Sequence, residues 1–250
     1  TPGRVMDLAL DNYIRFEETQ KLVIDESDEM LNMGFRPQLT SIFAMMKTKR
    51  QNILFSATTT DEVDAVLNDF FDFPQEVTLS PSGTPLEQIK QIAFNVPNFN
   101  TKINLLRHLL QNDESMSRIL VFVNNKRIAD LLFDKIDADF EGQFGAIHSN
   151  KSQNYRLNTM ASFQNGVLRG LITTDIMARG LDISDITHVI NFEMPELPEQ
   201  YMHRIGRTGR ADATGTAISF VTPREEEFKL EVEVLMNTEL KISDFPSEVE

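Results

Sequence analysis

The chain has 250 residues, 41% of them hydrophobic, with 24 basic against 38 acidic side chains and a formal net charge of −14. No apolar run approaches the ~20 residues of a membrane helix, and no basic-then-apolar leader opens the chain, so a cytoplasmic protein with no membrane partner is expected. Zero cysteines exclude disulfides and cysteine zinc sites, and four scattered histidines argue against a histidine metal cluster.

The acidity is uneven. Residues 1–80 carry −7, residues 81–223 carry −1 and residues 224–250 carry −6. Phosphate recognition needs a local basic patch rather than a basic average, so the near-neutral middle leaves nucleic-acid binding open.

In chain order, the first convincing strand is Lys21 to Asp25, a β-branched run ending at a carboxylate; Asn52 to Ser56 and Glu76 to Leu79 read as further strands. Helical spacing fills 29–47 and 60–70 between them, and strands alternating with helices imply a parallel sheet. Ser80 to Pro85 is a turn-rich run without a core residue, which places a linker at 81–86 between a domain at 1–80 and a second at 87–223.

The rhythm then restarts. Strands are read at 89–96, 119–123, 144–148, 170–174, 188–192 and 216–221, with helices at 101–111, 126–136, 153–164 and 198–205. Residues 224–250 read as an acidic helix, packed by Phe228, Val232 and Leu235, and a tail whose acids form a solvated face; its removal after Pro223 is expected to strengthen anion binding modestly. His148 and Met30, Met33, Met45, Met46, Met160 and Met177 read as packing. The fold class is therefore α/β, with two parallel-sheet units.

Open α/β sheets hold ligands beyond the C-terminal ends of their strands. Asp25-Glu26-Ser27-Asp28 puts three carboxylates in four residues at such an end. Like charges this close raise one another's pKa unless a cation sits among them, so a Mg²⁺ ion with one carboxylate left as base is one reading, and an acidic turn is the other. Ser56 and Thr58 end the neighbouring strand, where they relay hydrogen bonds or cap the next helix. Thr173 to Asp182 mixes hydroxyls, a cation and carboxylates, suited to sugars and phosphates or to a plain strand-to-helix loop. Gln153 and Arg156 share a helical face. His203 to Arg210 holds Arg204, Arg207 and Arg210 around two glycines, a turn that presents planar bidentate donors to anions.

Together these segments resemble the DEAD-box RNA helicases, a family of two RecA-like lobes. Residues 1–4 resemble motif Ib, Asp25 to Asp28 motif II, Ser56 to Thr58 motif III, and Leu120 to Lys126 motif IV. Gln153 with Arg156 resembles motif IVa, Thr173 to Ile183 motif V, and His203 to Arg210 motif VI.

The resemblance implies ATP and Mg²⁺ as cofactors and RNA as partner. It implies that Asp25 holds Mg²⁺ through water, that Glu26 orients or deprotonates the attacking water, and that Asp28 ties to His203, Ser56 and Thr58. Arg207 and Arg210 are then arginine fingers on the γ-phosphate, Asp182 binds the ATP ribose, and Pro2, Gly3, Arg4, Gln153, Arg156 and Thr174 face RNA.

Departures accompany it. Ser27 stands where the family name has alanine, Thr59-Thr60 where Met-Pro is usual, and Asp212 where glycine is common. No Gly-Lys dipeptide occurs, so this stretch holds no phosphate loop; the Q motif and motif Ia are missing as well. The implied protein is an ATP-dependent RNA helicase of which this is the C-terminal portion, its first lobe incomplete at the N-terminus and inactive by itself. The alternatives are a catalytically silent RNA-binding or scaffold module and, less well matched, a DNA helicase.

Overall fold

A computed structural model describes residues 1–78, 88–178, 185–209 and 214–249, with the side chains of 176 and 177 left aside. The chain divides into two compact units, Thr1–Ser80 and Pro81–Glu250. The linker reading at 81–86 lies outside the described residues.

The first unit runs α1 (Pro2–Leu10), β1 (Lys21–Ile24), α2 (Ser27–Asn32), α3 (Arg36–Met45), β2 (Gln51–Leu54) and α4 (Asp61–Phe70). β1 and β2 pair in parallel, Lys21 opposite Gln51 through Ile24 opposite Leu54. Ile24, Leu31, Leu39, Phe43, Val63 and Val66 form the core, and the Phe43 and Phe70 rings stack at 4.2 Å. Each buried aliphatic or aromatic side chain contributes about 1.5–3 kcal/mol. Thr60 caps α4 by accepting from the Val63 N–H.

Two sequence expectations are corrected in this unit. The single helix read over 29–47 is two, because Gly34 turns the chain at φ +77° and Pro37 begins the next helix in its first turn. The strand read at 76–79 is absent over 76–78: β1 and β2 are each other's only partners among the described residues, and β-propensity without a neighbour to receive the hydrogen bonds makes no strand. Met33 and Met45, read as packing, are exposed at the ends of α2 and α3.

The second unit runs β3 (Ile89–Asn95), α5 (Phe99–Asn112), β4 (Ile119–Phe122), α6 (Lys126–Phe140), β5 (Phe144–Ile147), α7 (Gln153–Gln164), β6 (Gly170–Thr173), α8 (Asp175–Ala178), β7 (His188–Asn191), α9 (Pro198–Ile205), β8 (Gly215–Val221), α10 (Glu226–Met236) and β9 (Lys241–Ile242). Its sheet has the order β5-β6-β4-β7-β8-β3-β9, every pair parallel. The central strands are buried on both faces, which is why they read as unbroken apolar runs rather than alternating ones. Asn98, Asn125 and Ser152 cap α5, α6 and α7 with their side-chain oxygens. Because all strands run one way, the turns after β4, β5, β6 and β7 gather on one edge.

Residues 224–249 belong to this unit. Val232 and Leu240 are buried against Tyr201 and Ile205, Val249 joins the main core, and β9 pairs with β3. Phe228 packs there as read, but Leu235 is exposed and Met236 takes its place. The tail's acids are not all solvated. Glu225 receives the Lys102 Nζ at 2.6 and 2.7 Å and the Thr222 and Met194 N–H groups at 2.9 and 3.1 Å. Truncation after Pro223 would strip this carboxylate from a buried lysine, so the tail is not the dispensable anion shield the sequence suggests.

Candidate functional site

In the first unit the β-ladder continues past β1 and β2 into the polar turns. Phe55 N–H donates to the Ile24 carbonyl at 2.7 Å and Ser27 N–H to the Phe55 carbonyl at 3.1 Å. That lacing sets Asp25 to Asp28 beside Ser56 to Thr58. Asp28 is buried, and its Oδ2 accepts from Thr58 N–H at 3.0 Å and Thr58 Oγ at 2.8 Å. Ser56 Oγ donates to the Thr58 carbonyl at 2.6 Å and so braces the same turn.

Asp25 and Glu26 are exposed. Glu26 has φ 51° at the head of α2, a left-handed conformation worth about 1–3 kcal/mol of strain in a non-glycine residue. Asp25 Oδ1 accepts from the Glu26 N–H at 2.9 Å. The cluster thus divides into one carboxylate engaged inside and two presented to solvent. Ser27 adds a buried hydroxyl without a hydrogen-bond partner. Pro2, Gly3 and Arg4 open α1; Pro2 is buried and Arg4 exposed, leaving Arg4 as the accessible cation of the three.

In the second unit a cavity of about 420 Å³ sits on the C-terminal edge of the sheet, lined by Asn124, Asn125, Lys126, Ser149, Thr174, Asp175 and residues of the loop into α9. Lys126 Nζ donates to Asn150 Oδ1 at 2.9 Å across its rim. His148, read as packing, is buried at the end of β5 with Nε2 2.9 Å from Asp130 Oδ1; Lys151 meets the same oxygen at 2.8 Å, and that hydrogen bond holds the Asp130 carboxyl below its ordinary range. Thr174 lines the cavity. Gln153 and Arg156 lie in the first turn of α7, Gln153 exposed and Arg156 half-buried.

The helix α9 starts with Pro198 and Glu199 in its first turn and ends with His203 and Arg204, the Glu199 and Arg204 charges placed as the helix dipole favours. Arg207 follows the helix end, its Nε 3.3 Å from the His203 carbonyl. Thr208 pins the next turn by donating to the Ile186 carbonyl. Asp182 and Arg210 lie outside the described residues. A larger hollow, about 980 Å³, runs along β2 in the first unit, and Ser56 alone of the candidate residues lines it.

Arg204, Asp175 and Asn124 lie in segments singled out in the sequence but received no role there, and the structure joins them by hydrogen bonds. Arg204 was visible as one arginine of a basic turn, whereas its place on the buried stripe with Tyr201 and Ile205 was the signal that sets it apart.

Family models match the chain in both units: the DEAD/DEAH box helicase model over residues 1–66 and the helicase conserved C-terminal domain model over residues 101–212. The chain is 40% identical over 225 residues to the DEAD-box ATP-dependent RNA helicase CshA of Geobacillus kaustophilus, covering 90% of this chain and 48% of that protein. It is 36% identical over 249 residues to eukaryotic initiation factor 4A-3 of Arabidopsis thaliana, covering 100% of this chain and 59% of that protein. Among solved structures, S. cerevisiae Dbp5 bound to RNA and ADP BeF3 matches with a TM-score of 0.87 at 28% identity, over 99% of this chain and 65% of that one. The chain spans 48% and 59% of the length of these two curated relatives.

Proposed function

The chain belongs to the DEAD/DEAH box helicase family, and from that membership we propose that it is part of an ATP-dependent RNA helicase that couples ATP hydrolysis to local unwinding or remodelling of RNA. The observation that carries this reading is the division of the acidic cluster. Asp28 is spent on Thr58 inside the unit, while Asp25 and Glu26 stand free of it at the strand end. Glu26, one of those two, is itself held in the left-handed region at φ 51°, a conformation that a plain acidic turn does not require of it.

Mg²⁺ keeps several waters and takes one or two carboxylates plus phosphate oxygens, which the exposed Asp25 carboxylate at the strand end fits. Asp25 is the residue that would hold it, and the ion would supply charge neutralisation on the phosphates. Glu26 orients the attacking water or takes its proton. Arg207 and Arg210 stabilise the charge that develops on the transferring phosphoryl group, and Asp182 binds the ribose. Asp28 keeps the motif II turn in register with Ser56 and Thr58.

Arg4 in the first unit, and Gln153, Arg156, Thr174 and the 420 Å³ cavity in the second, face RNA. Their chemistry, one amide and one hydroxyl with two cations, suits phosphates and sugar hydroxyls more than base edges, so the affinity is sequence-tolerant and salt-sensitive.

The test compares the parent protein with this 250-residue stretch. RNA-stimulated phosphate release is expected from the parent, abolished by Glu26→Gln, and absent from the isolated stretch, which contains no phosphate loop. RNA binding without any release from the parent would select a catalytically silent binding module instead.

A further inference from the structure

The outer face of α10 is apolar where a solvated face is ordinarily polar. Leu230 is 52% exposed and Val234, one turn further on, is 81% exposed; residues four apart lie side by side on a helix surface. Leu235 is exposed as well, beyond Glu231 around the same helix. The core has no room for these three, because the inner face is already filled. Val232 is buried with Tyr201 and Ile205, and Phe228 and Met236 pack beside it. The turn that leaves the helix is fixed too, with Leu240 N–H donating to Glu233 Oε1 at 2.8 Å.

The charges divide in the same way. Lys229, the one basic residue of α10, is buried, and its Nζ lies 2.7 Å from Glu226 Oε1 and 3.6 Å from Glu233 Oε2. Glu227 and Glu231 are exposed beside Leu230 and have no cation of their own helix left to meet them. Like charges four apart repel and weaken a helix slightly. Apolar residues exposed singly are ordinary, whereas a row of them along one helix, rimmed by unmatched acids, has the make-up of a partner surface.

Charge decides what covers it. A second copy of this chain, docked about a two-fold axis, would set Glu227 and Glu231 against the same acids. Nucleic acid or an anionic lipid surface would meet them with phosphates. A segment carrying lysine or arginine beside an apolar stripe relieves the repulsion instead. The helicase C-terminal domain model ends at residue 212, so this surface lies outside the matched portion.

We propose that the outer face of α10 docks an amphipathic helix of a partner protein, its apolar stripe covering Leu230, Val234 and Leu235 and its flanking lysines or arginines pairing with Glu227 and Glu231. The inference goes beyond the helicase reading and needs neither nucleotide nor RNA on the chain.

The experiment is isothermal titration calorimetry of the 250-residue chain with a synthetic helical peptide of about 18 residues, its leucines at i, i+3, i+4 and i+7 and its lysines beside them. Binding with a negative heat-capacity change, the mark of apolar burial, is expected. A peptide of the same composition with its leucine spacing scrambled should bind at least about tenfold more weakly, and so should the lysine peptide to Leu230→Gln with Val234→Gln. Glu227→Lys with Glu231→Lys should weaken the lysine peptide about tenfold and strengthen a version carrying glutamates in place of the lysines. All four positions are exposed, and unchanged urea midpoints are the check that the fold is intact; should the glutamine variant misfold, the charge swap decides alone.

No binding of the lysine peptide overturns the proposal. Equal binding of the scrambled peptide, or affinity unmoved by the double variants, overturns it as well, since attraction to a chain of net charge −14 then suffices. Sedimentation of the chain alone is expected to be the same with and without Leu230→Gln and Val234→Gln; self-association that this variant abolishes would give the face to a second copy and overturn the proposal.

Discussion

Removing the Glu225 carboxylate should destabilise the second unit far more than a surface acid would. Lys102 Nζ is held at 2.6 and 2.7 Å by the two oxygens of Glu225 and at 2.7 Å by the Phe192 carbonyl, with side-chain exposures of 3% for the lysine and 13% for the glutamate. Glu225→Ala leaves the ammonium buried with one neutral acceptor, which costs about 3–5 kcal/mol. That is a large part of the 5–15 kcal/mol typical of a domain.

The pH dependence has a definite sign. Burial already pulls the Lys102 pKa below its ordinary value, and loss of Glu225 lowers it further, so the unfolded chain binds the extra proton. The variant should therefore recover stability as pH rises from 7 toward the ordinary lysine value. Replacing both partners, as Lys102→Met with Glu225→Leu, removes the uncompensated charge and should cost much less than the single change. Urea denaturation followed by circular dichroism at pH 7 and pH 9.5 measures all of this. A single-variant cost below about 1 kcal/mol, or a double variant as damaged as the single, would refute the reasoning.

Ser27→Ala removes a buried hydroxyl that has no partner and should stabilise the first unit by about 1 kcal/mol or more, read as a raised urea midpoint of that unit. Thr58→Val breaks the 2.8 Å bond to Asp28 and should cost about 1.5–3 kcal/mol, measured in the same titration. Burial raises the Glu193 pKa above its ordinary 4.5, so the folded state binds more protons and stability falls as pH rises from 4.5 through the raised value. Glu193→Gln, which can still accept from the Asn124 N–H, should flatten that fall, and an unchanged pH profile would count against it. RNA affinity of the chain should drop steeply between 50 and 200 mM salt, and salt-independent binding to one sequence would remove the backbone-contact reading.

Much of this protein was legible in its sequence because the signals are local. The strand-like runs ending at Asp25 and Ser56, and the helices read at 153–164 and 198–205, which are the bounds of α7 and α9, all rest on patterns within one strand or a few turns. The charge motifs were legible in type for the same reason, and the family resemblance supplied the tie between Asp28 and Thr58 that the structure contains.

What only the tertiary structure decided depends on which strands lie side by side. Glu76 to Thr78 has strand composition yet no strand beside it among the described residues. Lys102 and Glu225 stand 123 positions apart and meet because α5 and the entrance to α10 flank the same sheet end. Arg204 reads as one more arginine in a basic turn until parallel pairing of β6, β4 and β7 brings Asp175, Asn124 and Asn191 to one edge. A guanidinium can be buried only where all its acceptors arrive together, and no local pattern specifies that arrival.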